Sequence, residues 1–567
     1  MAKMRRNSFF PSLAFSAALM AGVAPIAKAA PSDDAQLRAL KAEMAEMRHE
    51  MMGQISSLKA QLARNESNQK HLGSRLNDVA NRHGGYRSSQ VASGPAEPGV
   101  QFGEEAPPHK NILAASSVGR PPSDRGDTMS WKDFRAATRA DEEVRVGGMI
   151  VGFPKGRFTI SSEDGAYAFS VGLAFHEDFG GFMGMSPRGN ETKGDFAGFT
   201  ENARRIRIPF TFRYKDWVAN VTPDFGAGSA DGATTDQTLY EANLNYTGLH
   251  NTILTVGYFQ PRVTEEDSES SNDFEMMERP VITDIVRKIA AGDARFSFGG
   301  LHYDKRWWIA AYFTGQSFGG RANTSGANTA LVDSQTGGTF RVAGRPFVSK
   351  DIDLHVGLSA ISAFKVAKNS STGRTTSFSD QPEVNLTTTS LLSSGTIGNV
   401  GSVWAAGPEL GFRWRKLVLK GEYYHIGVTR GDNATNAASS TAANFEGYYG
   451  AANYTLMGKG RAYNEKEGAF SAPGVEQEFD PAHGHWGALE LSGRYSVANF
   501  RDAGAGVMGN QQTVWSGGLN WYPNRHFRIM LDFNHFIVTG NGTKTAAVEN
   551  IWGRSGNSVA ARVQAAF

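Results

Sequence analysis

The sequence predicts an all-β transmembrane barrel of about 16 antiparallel strands, preceded by an α-helical coiled coil. Three observations predict this fold. Strand-like segments in which apolar and polar residues alternate recur from residue 144 to the end of the chain. The last of these segments, residues 559–567, ends on Phe567. An apolar heptad pattern occupies residues 33–83.

The composition agrees with many short strands and excludes several classes of protein. The 567 residues include 65 Gly, 35 Phe and 16 Tyr, yet the mean hydropathy is only −0.37. Many aromatic residues at modest hydropathy are typical of alternating strands rather than of apolar helices. The formal charge of +2 argues against a nucleic-acid-binding protein. The absence of cysteine excludes disulfides and thiolate metal sites.

Residues 1–29 have the features of a secretory signal peptide. Lys3, Arg5 and Arg6 form a positive start, an apolar stretch follows, and residues 27–29 give a small-x-small cleavage pattern. The alternative is a membrane anchor, but prolines and serines interrupt the apolar stretch. No later stretch is apolar for 18 residues, so we expect no transmembrane helix.

Residues 33–83 are expected to form a periplasmic coiled coil. Apolar residues recur there at alternating steps of three and four, with one extra step of four that is typical of a stutter. The alternative is a single amphipathic helix that packs on its own domain. A coiled coil would make the protein a homo-oligomer. Residues 84–143 are rich in Gly, Ser, Pro, Ala and charge and predict a flexible linker.

The strand within residues 201–216 has one apolar and one cationic face. Ile206, Ile208, Phe210, Phe212 and Tyr214 alternate with Arg205, Arg207, Thr211, Arg213 and Lys215. In a membrane barrel the apolar face contacts lipid and the arginines line a wet lumen. Because a guanidinium can form paired hydrogen bonds with an oxyanion, these arginines are candidate anion-binding residues. The alternative is that they only balance the acidic residues of the lumen.

A second candidate pair, Arg413 and Arg415, follows the same alternation in residues 410–416. It would either join the anion-binding stripe or lie at the rim of the barrel.

The length of the strand-rich region, residues 144–567, predicts a channel. About ten residues per strand, with turns and loops, gives about 16 strands. A barrel of that size leaves an aqueous channel, whereas smaller barrels are filled by side chains. Four polar segments are expected to be outer loops: residues 319–338, 368–402, 432–445 and 458–484.

Several stretches resemble the phosphate-selective porin O and P family, and the resemblance covers nearly all of residues 150–567. Residues 158–167 resemble its opening hairpin, residues 203–207 its paired-arginine strand, and residues 270–279 the segment that folds inward in this family. Later strands are resembled by residues 447–450, 487–491 and 518–522. The resemblance implies a trimer of channels of about 16 strands that pass anions through a basic constriction. The final strand also resembles the closing strand of outer-membrane barrels, whose terminal phenylalanine is the assembly signal.

The resemblance makes Arg204 and Arg279 further candidates for the basic constriction. The inward segment is also rich in carboxylates, which would repel anions. Its candidate constriction residues are Glu265, Glu266, Asp267, Asn272, Glu275 and Glu278. Asn272 stands where phosphate-binding members carry a lysine. Glu278 and Arg279 are expected to form an ion pair in the constriction or to anchor the loop.

These observations predict a Gram-negative outer-membrane porin that passes small hydrophilic solutes, with anions such as phosphate or polyphosphate as the leading class. The expected partners are two further copies of the chain, outer-membrane lipid and lipopolysaccharide, and the barrel-assembly machinery through Phe567. We expect no cofactor, no metal and no catalysis, because Asp532 and His535, three residues apart, would fall on opposite faces of a strand. The alternatives are a general or cation-preferring porin, or a structural tether between outer membrane and cell wall.

Overall fold

The computed structural model describes residues 120–139, 144–146, 148–185, 196–226, 239–318, 331–370, 372–431, 440–540 and 554–567. All of them belong to one compact unit, Pro107–Phe567. The signal peptide, residues 1–29, and the coiled coil, residues 33–83, lie outside the described residues and stay predictions.

Three α-helices and 28 strands occur in the described part of the chain. The helices are α1 (Trp131–Arg139), α2 (Glu265–Ser268) and α3 (Val281–Ala290). The first strands are β1 (Val144–Val146), β2 (Met149–Gly152), β3 (Phe158–Ser162), β4 (Tyr167–Val171), β5 (Ala174–Met183), β6 (Thr200–Arg207), β7 (Phe210–Tyr214), β8 (Trp217–Pro223), β9 (Leu239–Leu249), β10 (Thr252–Phe259), β11 (Arg295–Tyr303) and β12 (Trp307–Ser317). They are followed by β13 (Leu331–Asp333), β14 (Thr336–Val348), β15 (Ile352–Lys365), β16 (Lys368–Asn369), β17 (Gly373–Arg374), β18 (Ser379–Asp380), β19 (Leu392–Ser393), β20 (Val400–Trp414), β21 (Leu417–Arg430), β22 (Ala443–Met457), β23 (Tyr463–Asn464), β24 (Ala469–Phe470), β25 (Ala488–Asp502), β26 (Val507–Tyr522), β27 (Phe527–Gly540) and β28 (Arg554–Ala566).

Within the described residues, 21 strands form one antiparallel sheet. Side chains alternate strictly between buried and exposed positions along most of β22. The exposed face is apolar, since Leu410, Leu531 and Phe533 are 55%, 48% and 45% exposed. The buried face carries charged groups, with Arg341 and Arg562 fully buried. The alternation predicted from the sequence is confirmed, with apolar side chains outward and charged side chains inward.

The 21 strands exceed the expected number of about 16 for two reasons. Strands β1–β3 continue the sheet from the edge of β4 and add three to the count. Two longer strands are also interrupted, β4–β5 at Gly172 and Leu173 and β6–β7 at Ile208 and Pro209. Pro209 has no backbone N–H to donate, and a proline therefore interrupts a strand ladder.

The last strand lies beside one of the first. β28 pairs with β5 from Ala174 to Met183. The backbones of Leu173 and Phe567 exchange two hydrogen bonds, of 3.0 and 2.8 Å. Beyond this point β4 pairs with β3 on one side and with β7 on the other.

The prediction that residues 458–484 form an outer loop is wrong. They connect β22 to β25, and Met457 pairs with Leu489 where this connection begins. The two-residue turn between β20 and β21 lies at the same end of the sheet. Part of this segment folds inward, and Arg461 and Phe470 are buried. Its polar composition predicts exposure to water. Arg461 is buried instead because it forms an ion pair with Glu490 on the inner face of the sheet.

Residues 120–139 lie against the sheet, although the sequence assigns them to a flexible linker. In α1, Phe134 is buried and packs under the guanidinium of Arg213, 4.7 Å from the ring centre. Asp124 and Arg125 are also buried. Apolar residues do not recur at regular spacing in this stretch, but its charged residues form ion pairs with residues on the inner face of the sheet.

The largest apolar cluster lies inside the sheet and is centred on α3. Ile282, Ile285 and Val286 pack with inward-facing residues of β21, β22 and β25, such as Ile426 and Phe445. No helix among the described residues is long and apolar enough to cross a membrane.

Candidate functional site

The candidate site is built around the inward loop, residues 260–294, which connects β10 to β11 and contains α2 and α3. All four residues of α2 are buried. Thr264 caps this helix by accepting a hydrogen bond from the Asp267 backbone N–H (2.8 Å). The loop therefore lies inside the curved sheet, where the resemblance places the constriction.

Four glutamates of the inward loop surround one lysine of β21. The Lys420 Nζ lies 2.6 Å from Glu266, 2.7 Å from Glu269, 2.9 Å from Glu275 and 3.4 Å from Glu265. Carboxylate oxygens of three of these glutamates come within 4.8 Å of one another, a spacing that could hold a metal ion. The ammonium group of Lys420 fills that position instead.

The carboxyl groups of this cluster differ in their affinity for protons. Burial raises the pKa of Glu266 to about 7, and the charge of Glu275 adds to the rise. Burial also favours the neutral form of Glu275, but Lys420 and Arg461 outweigh it and hold its pKa at about 2. Burial also raises the pKa of Glu269 well above its usual value, although Lys420 opposes the rise. Glu266 and Glu269 therefore hold their protons more tightly than Glu275 does.

Arg204 and Arg205 both turn inward because β6 has an irregularity at this point. Its register with β5 shifts between His176 and Glu177, which leaves Arg204 unpaired in the ladder, as in a β-bulge. The guanidinium of Arg204 forms two hydrogen bonds with Glu278 (2.8 and 3.0 Å). Strict alternation alone would send one of two consecutive arginines outward.

Glu278 pairs with arginines of two strands of the sheet rather than with its neighbour Arg279. Besides Arg204, it accepts a hydrogen bond from Arg562 of β28 (2.9 Å). Burial opposes ionisation of this carboxyl, but Arg204 holds its pKa well below the usual range. Arg279 instead lies 3.5 Å from Asp267 and packs over the ring of Phe274. Glu278 therefore anchors the inward loop to the sheet, whereas Arg279 links two parts of the loop to each other.

Arg205 lies at the centre of a cationic group. Its Nη1 donates to His176 Nδ1 (3.3 Å), which places the ring proton on Nε2, the donor to Asn272 Oδ1 (2.7 Å). Its buried Nε has no hydrogen-bond partner. Glu278 contributes negative charge at this position, and three other arginines contribute positive charge: Arg204, Arg207 and Arg562.

The other arginines of the predicted stripe are paired. Arg207 binds Asp224 through Nε (2.7 Å) and Asp124 through Nη1 (2.6 Å). Arg213 binds Asp127 (2.8 Å). Both Asp124 and Asp127 belong to the stretch that precedes α1.

Arg413 and Arg415 are not brought to this site. They lie at the end of β20, where Arg413 pairs in register with Asp353 and Arg415 is exposed, 3.7 Å from Asp351. They therefore occupy the rim, the second of the two positions considered from the sequence.

Several site residues were not found from the sequence. Arg562 binds Asp178 through two hydrogen bonds (2.5 and 2.7 Å), and Arg494 binds Glu383 (2.7 Å). Arg562 could have been found, because it stands on the polar face of the final alternating strand. Asp124 carries no such signal, because it lies outside every periodic segment.

Comparison with known proteins adds a family. The family model for phosphate-selective porin O and P matches residues 169–567. No curated protein matches the chain significantly. Solved structures with similar folds include the outer membrane channel DcaP of Acinetobacter baumannii (10% identity, 72% of this chain and 99% of that chain, TM-score 0.40). Another is the anion-selective porin from Comamonas acidovorans (10% identity, 71% of this chain and 100% of that chain, TM-score 0.39). A third is the trimer form of OmpT from Vibrio cholerae (10% identity, 71% of this chain and 100% of that chain, TM-score 0.39). Structural similarities at this level carry no functional argument. The family match, in contrast, spans most of the chain. The chain therefore belongs to the phosphate-selective porin O and P family.

Proposed function

We propose that the chain is an outer-membrane porin through which small anions diffuse passively, with phosphate or polyphosphate as the leading substrates. The family's description supports this substrate class. Transport of this kind needs no chemical step, so the function rests on the shape and charge of the lumen.

The observation that carries the proposal is Arg205. It is 2% exposed, and within the described part of the chain no carboxylate pairs with it. The carboxylate of Glu278 acts on Arg205 electrostatically, but its hydrogen bonds go to Arg204 and Arg562. Because an unpaired buried charge costs about 3–5 kcal/mol, a bound anion at this position would be stabilised. An anion passing the constriction would supply the missing negative charge.

The sheet supports a closed barrel. If β4–β5 and β6–β7 are each counted as one strand and β1–β3 are set aside, the 21 strands become 16. The exposed apolar face would contact lipid and lipopolysaccharide. We further propose a homotrimer, and recognition of Phe567 by the barrel-assembly machinery.

The test is the reversal potential of the purified protein in a planar bilayer under a KCl gradient. We expect a potential of the sign that chloride selectivity gives, and current that added phosphate blocks. Arg205→Ala should reduce the chloride-to-potassium permeability ratio severalfold. Arg415→Ala, which removes an exposed arginine at the rim, is the matched control and should leave the ratio unchanged. An equal loss in both variants would contradict the role of Arg205.

One observation favours a second candidate function, a cation-preferring porin. The four glutamates around Lys420 give the inward loop an excess of negative charge. A reversal potential of the opposite sign would establish it. The alternative of a structural tether depends on the coiled coil. If the protein is a tether, deleting residues 33–83 should abolish attachment of the outer membrane to the cell wall while leaving conductance intact.

A further inference from the structure

A short stretch before α1 runs through the interior of the sheet. This N-terminal segment, residues 120–127, lies between the inward loop and strands β6–β9. Arg125 donates to the backbone carbonyls of Asp267 (2.7 Å) and Ser268 (3.4 Å), and Asn272 Nδ2 donates to the carbonyl of Pro122 (2.7 Å). On the opposite side, the Gly126 N–H donates to Glu241 of β9 (2.6 Å).

The segment places a carboxylate among donors that suit an oxyanion. Asp124 Oδ1 accepts the hydroxyl of Ser270 (2.7 Å), and Oδ2 accepts the hydroxyl of Ser271 (2.6 Å). Oδ2 also lies 2.6 Å from Nη1 of Arg207. Two hydroxyls and a guanidinium are the donor types that bind phosphates and carboxylates in proteins. Asp124 therefore occupies this position as a ligand would.

The Asp124 side chain is an anion in this position. Burial alone would raise the pKa of its carboxyl, but Arg207, Arg125 and the two serine hydroxyls hold the pKa well below the usual range. Arg207 does not depend on Asp124 for a counterion, because Asp224 already binds its Nε at 2.7 Å.

Polar contacts hold the segment in place. Apart from Pro121 and Pro122, its residues are Arg, Ser, Asp and Gly, so it has no large apolar side chain to bury. A hydrogen bond to a charged group contributes about 1.5–3 kcal/mol, and an incoming ion that makes the same bonds restores that contribution. The contacts can therefore be replaced one by one by a competing ion.

A small cavity lies beside the segment. A cavity of about 30 Å³ remains between the segment and the wall, lined by residues that include Arg125, Gly126, Asn220 and Tyr240. That volume holds a few water molecules. This cavity is therefore too small for a hydrated anion.

We propose that the N-terminal segment is a tethered plug, and that its Asp124 carboxylate fills an oxyanion-binding site made by Arg207, Ser270 and Ser271. A small oxyanion of the phosphate or carboxylate class occupies that site when the segment withdraws. This inference rests on the proposed function for its solute and adds an intramolecular competitor for the site.

The test compares full-length wild-type protein with Asp124→Ala in planar bilayers. Single-channel conductance in KCl should rise severalfold in the variant, because the plug loses its ionic anchor. The concentration that half-blocks the current should fall about tenfold, for inorganic phosphate or, in a separate titration, for acetate, since the site no longer carries its own carboxylate. The ion with the larger fall identifies the class of solute. Unchanged conductance and unchanged block by both ions would overturn the proposal.

A labelling experiment reports on the plug without relying on ion selectivity. The chain has no cysteine, so Thr211→Cys introduces a single thiol. Thr211 lies under the segment, where its Oγ1 accepts the Asp127 N–H (3.3 Å). A thiol reagent should label this cysteine slowly alone and at least tenfold faster with Asp124→Ala. The matched control is Asp224→Ala, which frees the same guanidinium without touching the segment and should leave labelling slow.

The outcomes separate the plug from the proposed anion transport. Slow labelling in both aspartate variants would overturn the plug, whatever ions the channel passes. Fast labelling with higher conductance, but without block by either oxyanion, would overturn the oxyanion site. The wild-type reversal potential, measured in the same membranes, tests the proposed function separately.

Discussion

Glu266 contributes to the pH response of the glutamate cluster around Lys420. Its pKa is raised from 4.5 to about 7 by burial and by Glu275, so the folded protein binds this proton more tightly than the unfolded chain. The resulting contribution to stability is complete below pH 4.5 and is lost as the pH rises through 7. Near neutral pH the cluster around Lys420 therefore carries an unfavourable charge.

Glu266→Gln should remove that penalty while keeping the size of the side chain. We expect the variant to be more stable than wild type at pH 8, by about 1–3 kcal/mol, and nearly equal to it at pH 5. The measurement is the temperature at which the folded band disappears in a gel run without boiling. The exposed Glu446→Gln is the control and should shift neither value. A stabilisation of equal size at both pH values would contradict the assignment.

At the scale of the element, α3 fixes the inward loop to the wall. Ile285 is 2% exposed within the apolar cluster, whereas Lys288, on the same helix, is partly exposed and pairs with Asp284 (2.6 Å). Ile285→Ala should cost about 2–5 kcal/mol, because it leaves a cavity in a packed cluster. Lys288→Ala should cost at most about 0.5 kcal/mol. Thermal unfolding of the two variants measures the difference, and similar losses would show that the helix is held by its charges instead.

The elements that alternate could be predicted from the sequence, and those that do not alternate could not. The predicted segment 527–535 falls within β27, and the predicted segment 559–567 falls within β28 except for Phe567. The bulge at Arg204 breaks the alternation locally, so the inward turn of two consecutive arginines is not visible in the pattern. The inward loop could be anticipated only from the family resemblance, because its position depends on contacts with distant strands.

The ion pairs of the candidate site were the least predictable part. Glu278 binds arginines 74 and 284 residues away in the chain, and no local pattern encodes such a partner. The N-terminal segment has the composition of a linker because it is held by polar contacts rather than by an apolar face. The sequence therefore locates charged residues on the inner face, but the three-dimensional structure is needed to pair them.

At the scale of the whole molecule, Arg562 connects the last strand to β5, an early strand of the sheet. It lies on β28, where it pairs in register with Asp178 of β5, and its guanidinium binds both Asp178 and Glu278. All three side chains are largely buried, with 1%, 3% and 15% exposed. One arginine thus neutralises both the junction of β5 with β28 and one anchor of the inward loop.

Arg562→Gln should therefore destabilise the folded protein more than Asp178→Asn does. The first change leaves two carboxylates with one arginine fewer, and breaking a buried pair in this way costs about 3–5 kcal/mol. The second change leaves Arg562 bound to Glu278 and should cost less. The double variant should recover part of the loss, because the junction then contains neither charge. Heat resistance of the folded band measures all three proteins. If Asp178→Asn proved as damaging as Arg562→Gln, the junction would depend on that aspartate alone, and the link to the inward loop through Glu278 would be refuted.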